Sequence, residues 1–161
     1  MDNRVKYAII GIVLVVLAIY AILAFNSTYN AKVGTSSVSI PDGYEVANTT
    51  DNSSTIKDDK TTFTVSVLNK GQSIDQVIDL YKEMHQDQTI KDYNKKIGDV
   101  NIKGVILQDS ETNKTVDYNY FYEKNYKTYH IYEKGKHNQT ALETIIKQQQ
   151  SIQYHLYKNY P

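Results

Sequence analysis

Hydrophobic residues fall along this chain in three patterns: one unbroken run, several alternating stretches and two helical stripes. The run is residues 7–25 (YAIIGIVLVVLAIYAILAF), which hold no charged side chain. At about 1.5 Å per residue it reaches about 28 Å, close to a hydrocarbon core of about 30 Å. Ile9, Ile10, Ile12, Val13, Leu14, Val15, Val16, Leu17 and Ile19 cover every face, whereas a core helix would keep a polar stripe. The pattern predicts a single membrane-spanning helix. Arg4 and Lys6 precede it against a lone Asp2, which predicts a cytoplasmic N-terminus and an extracytoplasmic remainder. A cleaved signal peptide would have a shorter apolar region and an A-x-A-like exit, for which Ile22-Leu23-Ala24 is a poor match. The anchor is therefore expected to stay, with 1–25 as N-terminus and anchor, 26–37 (NSTYNAKVGTSS) as a polar tether and 38–161 as the domain.

Alternation marks the strands. Val38-Ser39-Ile40 is followed by a turn at Pro41-Asp42-Gly43, and Tyr44 and Val46 resume the strand. Residues 54–57 and 61–68 flank Asp58-Asp59-Lys60 as a hairpin, with Phe63, Val65 and Val67 on one face. In 97–108, Val100, Ile102, Val105 and Leu107 change parity at Gly104, where a bulge or a close backbone approach is expected. Residues 116–122 and 127–133 form a Tyr-rich hairpin around 123–126, with Tyr118, Tyr120 and Tyr122 on one face and Asp117, Asn119, Phe121 and Glu123 on the other. The helical stripes are Ile74, Val77, Ile78, Tyr81 and Met84, with a Ser73/Gln76 capping box, and Leu142, Ile145, Ile146, Gln149 and Ile152, capped by Asn138 or Thr140. The order ββ-α-βββ-α has too few helices for parallel crossovers. The predicted class is α+β: a transmembrane helix, then one mainly antiparallel sheet with both helices packed on one face, Ile78 and Ile146 buried beneath them.

Composition narrows the chemistry. The 18 Lys+Arg balance 18 Asp+Glu, and setting aside Arg4, Lys6 and Asp2 leaves 16 against 17, so the domain has no electrostatic preference for nucleic acid. Zero cysteines exclude disulfides, thiol chemistry and a lipoprotein anchor. The seven glycines show no G-x-G arrangement, so neither a dinucleotide loop nor a P-loop is present.

The segments SVSIPDGYEV, VNIKGVILQD, VDYNYFYEKNYKTYHIYEKG and ALETIIKQQQSI together resemble the PsbP-like fold family, which includes PsbP proteins, Ran-binding Mog proteins and DcrB-like lipoproteins. The likeness rests on an apolar-Pro-x-Gly-aromatic start, a K-G pair in a strand and a last helix closing on Ser151-Ile152, and it covers 38–152. It implies an α+β scaffolding, assembly or binding protein with no shared catalytic centre and so no site residues.

The four histidines, His85, His130, His137 and His155, lack metal-ligand spacing and are expected at the surface or on a sheet face. Asp109-Ser110-Glu111 reads as a turn and Asp58-Asp59 as a solvated hairpin tip rather than a calcium loop. No catalytic, metal or cofactor-binding residue is assigned. The tyrosines carry the choice of function: a structural row holding the sheet together, or a surface at Tyr126, Tyr129 and Tyr132 on which sugar rings or a protein partner could dock. Sequons occur at Asn26, Asn48, Asn52, Asn113 and Asn138, all read as lying in loops, the tether or a helix cap. The leading expectation is a non-enzymatic anchored domain that binds or helps assemble an envelope protein. A glycan or small-ligand module comes second and a hydrolase third.

Overall fold

The structure is a computed structural model and describes residues 3–28, 30–68 and 73–151. The chain divides into two units, 1–30 and 31–161. The first holds helix α1 (Asn3–Thr28). The side chains described within it are Tyr7 and those of 9–20, and all are exposed. Among the described residues no helix is long and apolar enough to cross a membrane.

The second unit is α+β. Among the described residues it contains strands β1 (Asn30–Val33, beginning at the unit boundary), β2 (Ser36–Ser39), β3 (Glu45–Thr49), β4 (Ser53–Lys57) and β5 (Thr61–Val67), then helix α2 (Ile74–Met84). Strands β6 (Thr89–Ile97), β7 (Val100–Gln108), β8 (Thr115–Lys124) and β9 (Lys127–Gly135) follow, then helix α3 (Gln139–Lys147) and strand β10 (Gln150–Ser151). One sheet has the order β3-β4-β5-β9-β8-β7-β6 with every pairing antiparallel; a smaller one has the order β1-β2-β10.

The two helices pack on opposite faces of the large sheet, which corrects the expectation of one shared face. On β8, Tyr120 and Tyr122 are buried in the cluster with Leu142, Ile145 and Ile146 of α3, while Phe121 between them is buried with Ile78 of α2. The parity change in β7 has the same cause. Val100 and Ile102 belong to the α3 side, Val105 and Leu107 to the α2 side. Pairing runs without a break through Gly104, opposite Tyr93 on one side and Tyr120 on the other, so there is no bulge there. The expected close approach is present: a Cβ at Gly104 would meet the Asn119 carbonyl oxygen at 2.8 Å. Ile78 and Ile146 are buried as expected.

The described residues of the stretch expected as a flexible tether are folded. Residues 26–28 continue α1, and β1 and β2 meet around Gly34, whose φ of +61° suits a tight turn. Ala31, Val33, Ser36 and Val38 are all buried in the α3-side core or beside it. Their period-2 alternation is real but is hidden by small polar residues.

Two further boundaries differ. β6 pairs with β7 along its whole length; it is an edge strand whose apolar residues are sparse, which left it without a hydrophobic signature. The last helix ends at Lys147, and Gln149 and Gln150 leave it, Gln150 pairing with Ser37, so the stripe does not continue to Gln149. Ile152 and His155 lie outside the described residues.

The capping box at Ser73 forms, with Gln76 N–H donating to Ser73 Oγ at 3.3 Å and Ser73 N–H to Gln76 Oε1 at 3.0 Å. Asn138 caps α3, accepting from Ala141 N–H at 3.1 Å.

Candidate functional site

The chain's chemistry is concentrated in three places. At one end of the sheet, β9 runs out at Gly135 and the chain turns into α3, which sets Glu133, His137 and Asn138 beside Tyr120. Glu133 is fully buried. Tyr120 Oη donates to its Oε2 at 2.7 Å, His137 Nδ1 to the same oxygen at 2.9 Å and the Asn138 backbone N–H to Oε1 at 2.7 Å. A buried carboxyl needs such donors, since an unpaired one would be strongly destabilising. Burial, and then the Glu133 charge, push the Tyr120 phenol far above its ordinary pKa, so it acts as a hydrogen-bond donor.

The network extends outward. Asn138 Nδ2 donates to Tyr44 Oη at 3.1 Å, and Asp58 Oδ1 accepts from the N–H groups of Lys60 at 2.8 Å and Thr61 at 2.6 Å. Those backbone donors hold the Asp58 carboxyl below the usual range. Asp58 is thus the organiser of the β4–β5 turn, as expected for a hairpin tip. An open cleft of about 390 Å³ lies between Asp58, Lys60, Lys136 and His137. An imidazole held at Nδ1 by a carboxylate has the geometry of a general base, but among the described residues no Ser or Thr hydroxyl bonds to His137. The arrangement joins the end of the sheet to α3.

The second place lies under α2. His130 Nε2 donates to Asn119 Oδ1 at 2.8 Å, Asn119 Nδ2 donates to Tyr81 Oη at 2.9 Å, and the His130 ring stacks on Phe121 with centroids 4.6 Å apart. Burial lowers the pKa of His130 to about 4, so it is neutral near pH 7. It sits on a sheet face, as expected, but beneath a helix.

The tyrosines do not assemble into a surface. Tyr129, one of the three expected there, is fully buried, stacks on Tyr122 with centroids 5.3 Å apart and shares a 2.6 Å hydrogen bond with Ser36. Register explains it: Tyr129 lies opposite Tyr122, on the α3 face. Tyr132 points to the other face, partly buried, and donates to Asp117 Oδ1 at 2.6 Å. Tyr120 and Tyr122 are fully buried and Tyr118 packs against the same core, so that row is structural.

Tyr126 is the third place. It stands at the β8–β9 tip at 102% exposure with φ +61°, after Asn125 at φ +53°. A two-residue turn with both φ positive favours Asn-Gly, because a residue with a Cβ is strained there. Tyr126 accepts that strain without burying its ring against this chain.

Of the sequons, Asn48 lies in strand β3 rather than in a loop, Asn52 and Asn113 are exposed in turns, and Asn138 is the α3 cap. Asn26 lies within α1, and its side chain is outside the described residues. Among the described residues no group of three or more His, Asp or Glu could hold a metal ion. No family model and no curated protein matches the chain.

Proposed function

We propose that the protein is a membrane-anchored, extracytoplasmic, non-enzymatic domain that presents its β8–β9 hairpin tip to another envelope protein. The observation that carries the reading is Tyr126: a large aromatic held wholly in solvent on a strained turn, where a glycine would be less costly. Backbone strain that serves no contact within the chain is a reason to look for function, and Tyr is among the residues enriched at interface centres.

The anchor rests on the sequence of residues 7–25, whose length and all-round apolar character suit a bilayer and whose flank places Arg4 and Lys6 on the cytoplasmic side. The resemblance to the PsbP-like family supports an assembly or binding role in the same way. A ligand-binding tyrosine platform has less support, because Tyr120, Tyr122 and Tyr129 are occupied in the core.

The test is photo-crosslinking from position 126 in native membranes, with an equivalent probe at Glu123 on the same hairpin. A single protein adduct from 126 that is lost when unmodified domain is added in excess supports the proposal. Equal labelling from both positions, or none from 126, rejects it. Protease on intact cells tests the anchor separately and should remove the domain.

A further inference from the structure

Thirteen asparagines and twenty-four Ser plus Thr in 161 residues would give about two Asn-x-Ser/Thr sequons by chance, and the chain has five. The fold separates them. A sequon needs an accessible amide and an accessible hydroxyl two residues on, and the two requirements are met unequally.

At Asn138 the amide is engaged on both sides: Oδ1 caps α3 through Ala141 N–H and Nδ2 donates to Tyr44 Oη. A sugar on that nitrogen would compete with the bond to Tyr44 and crowd the amide whose oxygen caps the helix. At Asn52 the amide is exposed but the hydroxyl is not, since Ser54 is buried and its Oγ donates to the Lys32 carbonyl at 2.5 Å. At Asn48 and Asn113 both residues of the sequon are exposed: Thr50 lies in the β3–β4 turn, where its hydroxyl shares a 2.8 Å surface hydrogen bond with Ser53 Oγ, and Thr115 starts β8, where its hydroxyl accepts from Gln108 Nε2 at 3.5 Å; neither is buried as Ser54 is. Asn48 also stands on the terminal strand β3, where all five residues are exposed and Glu45 is the one charged residue. The opposite edge, β6, carries Lys91, Asp92, Lys95 and Lys96, the usual guard against edge-to-edge pairing. β3 has a single charge and an irregularity in its pairing between Val46 and Asn48 in place of that row of charges, and a bulky polar group at Asn48 would add to its protection.

We propose that Asn48 and Asn113 are acceptors of N-linked oligosaccharide on the folded domain, and that Asn52 and Asn138 are not. The donor is a lipid-linked oligosaccharide phosphate or pyrophosphate. The Asn Nδ2 bonds to the anomeric carbon, the bond from that carbon to the lipid phosphate oxygen breaks with its electron pair, and the amide proton passes to a base of the transferase. The proposal rests on the extracytoplasmic reading given above.

Glycopeptide mass mapping of the full chain from its native membranes tests it. Sugar at Asn48 and Asn113 with none at Asn52 or Asn138 is the expected result, and Asn48→Gln and Asn113→Gln should each remove one glycan from the intact mass. Sugar at Asn52 or Asn138, or none at Asn48 and Asn113, overturns it. Protease treatment of the same intact cells separates the two readings. A glycan-free domain that protease removes overturns this proposal alone, whereas a glycan-free domain that protease cannot reach overturns the topology with it.

Discussion

The two faces of the large sheet are covered by one helix each, yet they are built differently. The α3 face buries Ile56, Phe63, Val65, Ile102, Tyr120, Tyr122, Tyr129 and Ile131 beneath four buried residues of α3, with β1 and β2 closing it. The α2 face buries Val105, Leu107 and Phe121 under one buried helix residue, Ile78, and has His130 and Asn119 at its border. A sheet covered on both sides by unequal layers places most of its cohesion on one side. The thinner side can then carry groups that titrate or open without unfolding the rest.

Adjacent residues on β8 give the sharpest test. Tyr120→Ala should destabilise by about 4 kcal/mol, through loss of a large ring and of one donor to buried Glu133. Phe121→Ala should cost about 3 kcal/mol, because α2 can settle into part of the space. Urea midpoints of the two variants measure the difference. A larger loss at Phe121 would mean that the α2 side is the principal core.

The helices repeat the comparison at lower amplitude. Ile146→Ala is expected to cost about 3 kcal/mol and Ile78→Ala about 2 kcal/mol, since Ile146 is fully enclosed and Ile78 lies near the rim at 8% exposure. Amide exchange should show α2 opening at a lower free energy than α3. Equal protection of the two helices would remove the asymmetry.

These unequal layers also explain what the sequence revealed and what it concealed. Helix α2 was legible because Ile74, Val77, Ile78 and Tyr81 form a stripe and Ser73 and Gln76 form a box, and both are local. The faces were not legible. Phe121 between two tyrosines looks like one apolar residue on a polar face, and Asn119 looks like a solvent residue, until His130 and Tyr81 are brought to it from 11 and 38 residues away. β6 and the β1–β2 hairpin were hidden for opposite reasons: the first is an edge with few apolar residues, and the second buries Ser36 where a hydrophobic residue would have announced a strand. The Glu133 network was equally silent. Only the spacing from Glu133 to His137 and Asn138 was local; Tyr120 and Tyr44 reach the network from 13 residues before Glu133 and 94 before Asn138. Tyr126 could have been singled out from Asn-Tyr standing where Asn-Gly is usual.

Acid should probe the α2 side selectively. His130 binds its proton in the unfolded chain below about pH 6.5 but in the folded protein only below about 4. Between those values the unfolded state holds the extra proton, so stability falls as pH falls from about 6.5 to about 4. The full linkage would slightly exceed about 3 kcal/mol, and partial exposure of the ring reduces it to about 2 kcal/mol. His130→Gln, which keeps a donor for Asn119, should flatten this part of the stability profile. An unchanged slope in that variant would place the acid sensitivity elsewhere and leave the α2 side with no titrating group of its own.

The smallest effect is expected at Tyr132. Its ring lies on the α2 face but outside the buried cluster there, and its hydroxyl donates to Asp117 at 2.6 Å. Burial, and then that bond, push the phenol pKa up to about 12, so the donor is intact at every pH of interest for folding. Removing a partly exposed ring and one hydrogen bond that water can replace should cost under about 1 kcal/mol. Tyr132→Ala should therefore leave the urea midpoint almost unmoved, in contrast to Tyr120→Ala twelve positions earlier. A loss above about 2 kcal/mol would show that the α2-side core extends across β9 to Tyr132. The two faces would then differ in chemistry but not in depth, and His130 would stand inside a core rather than at its border.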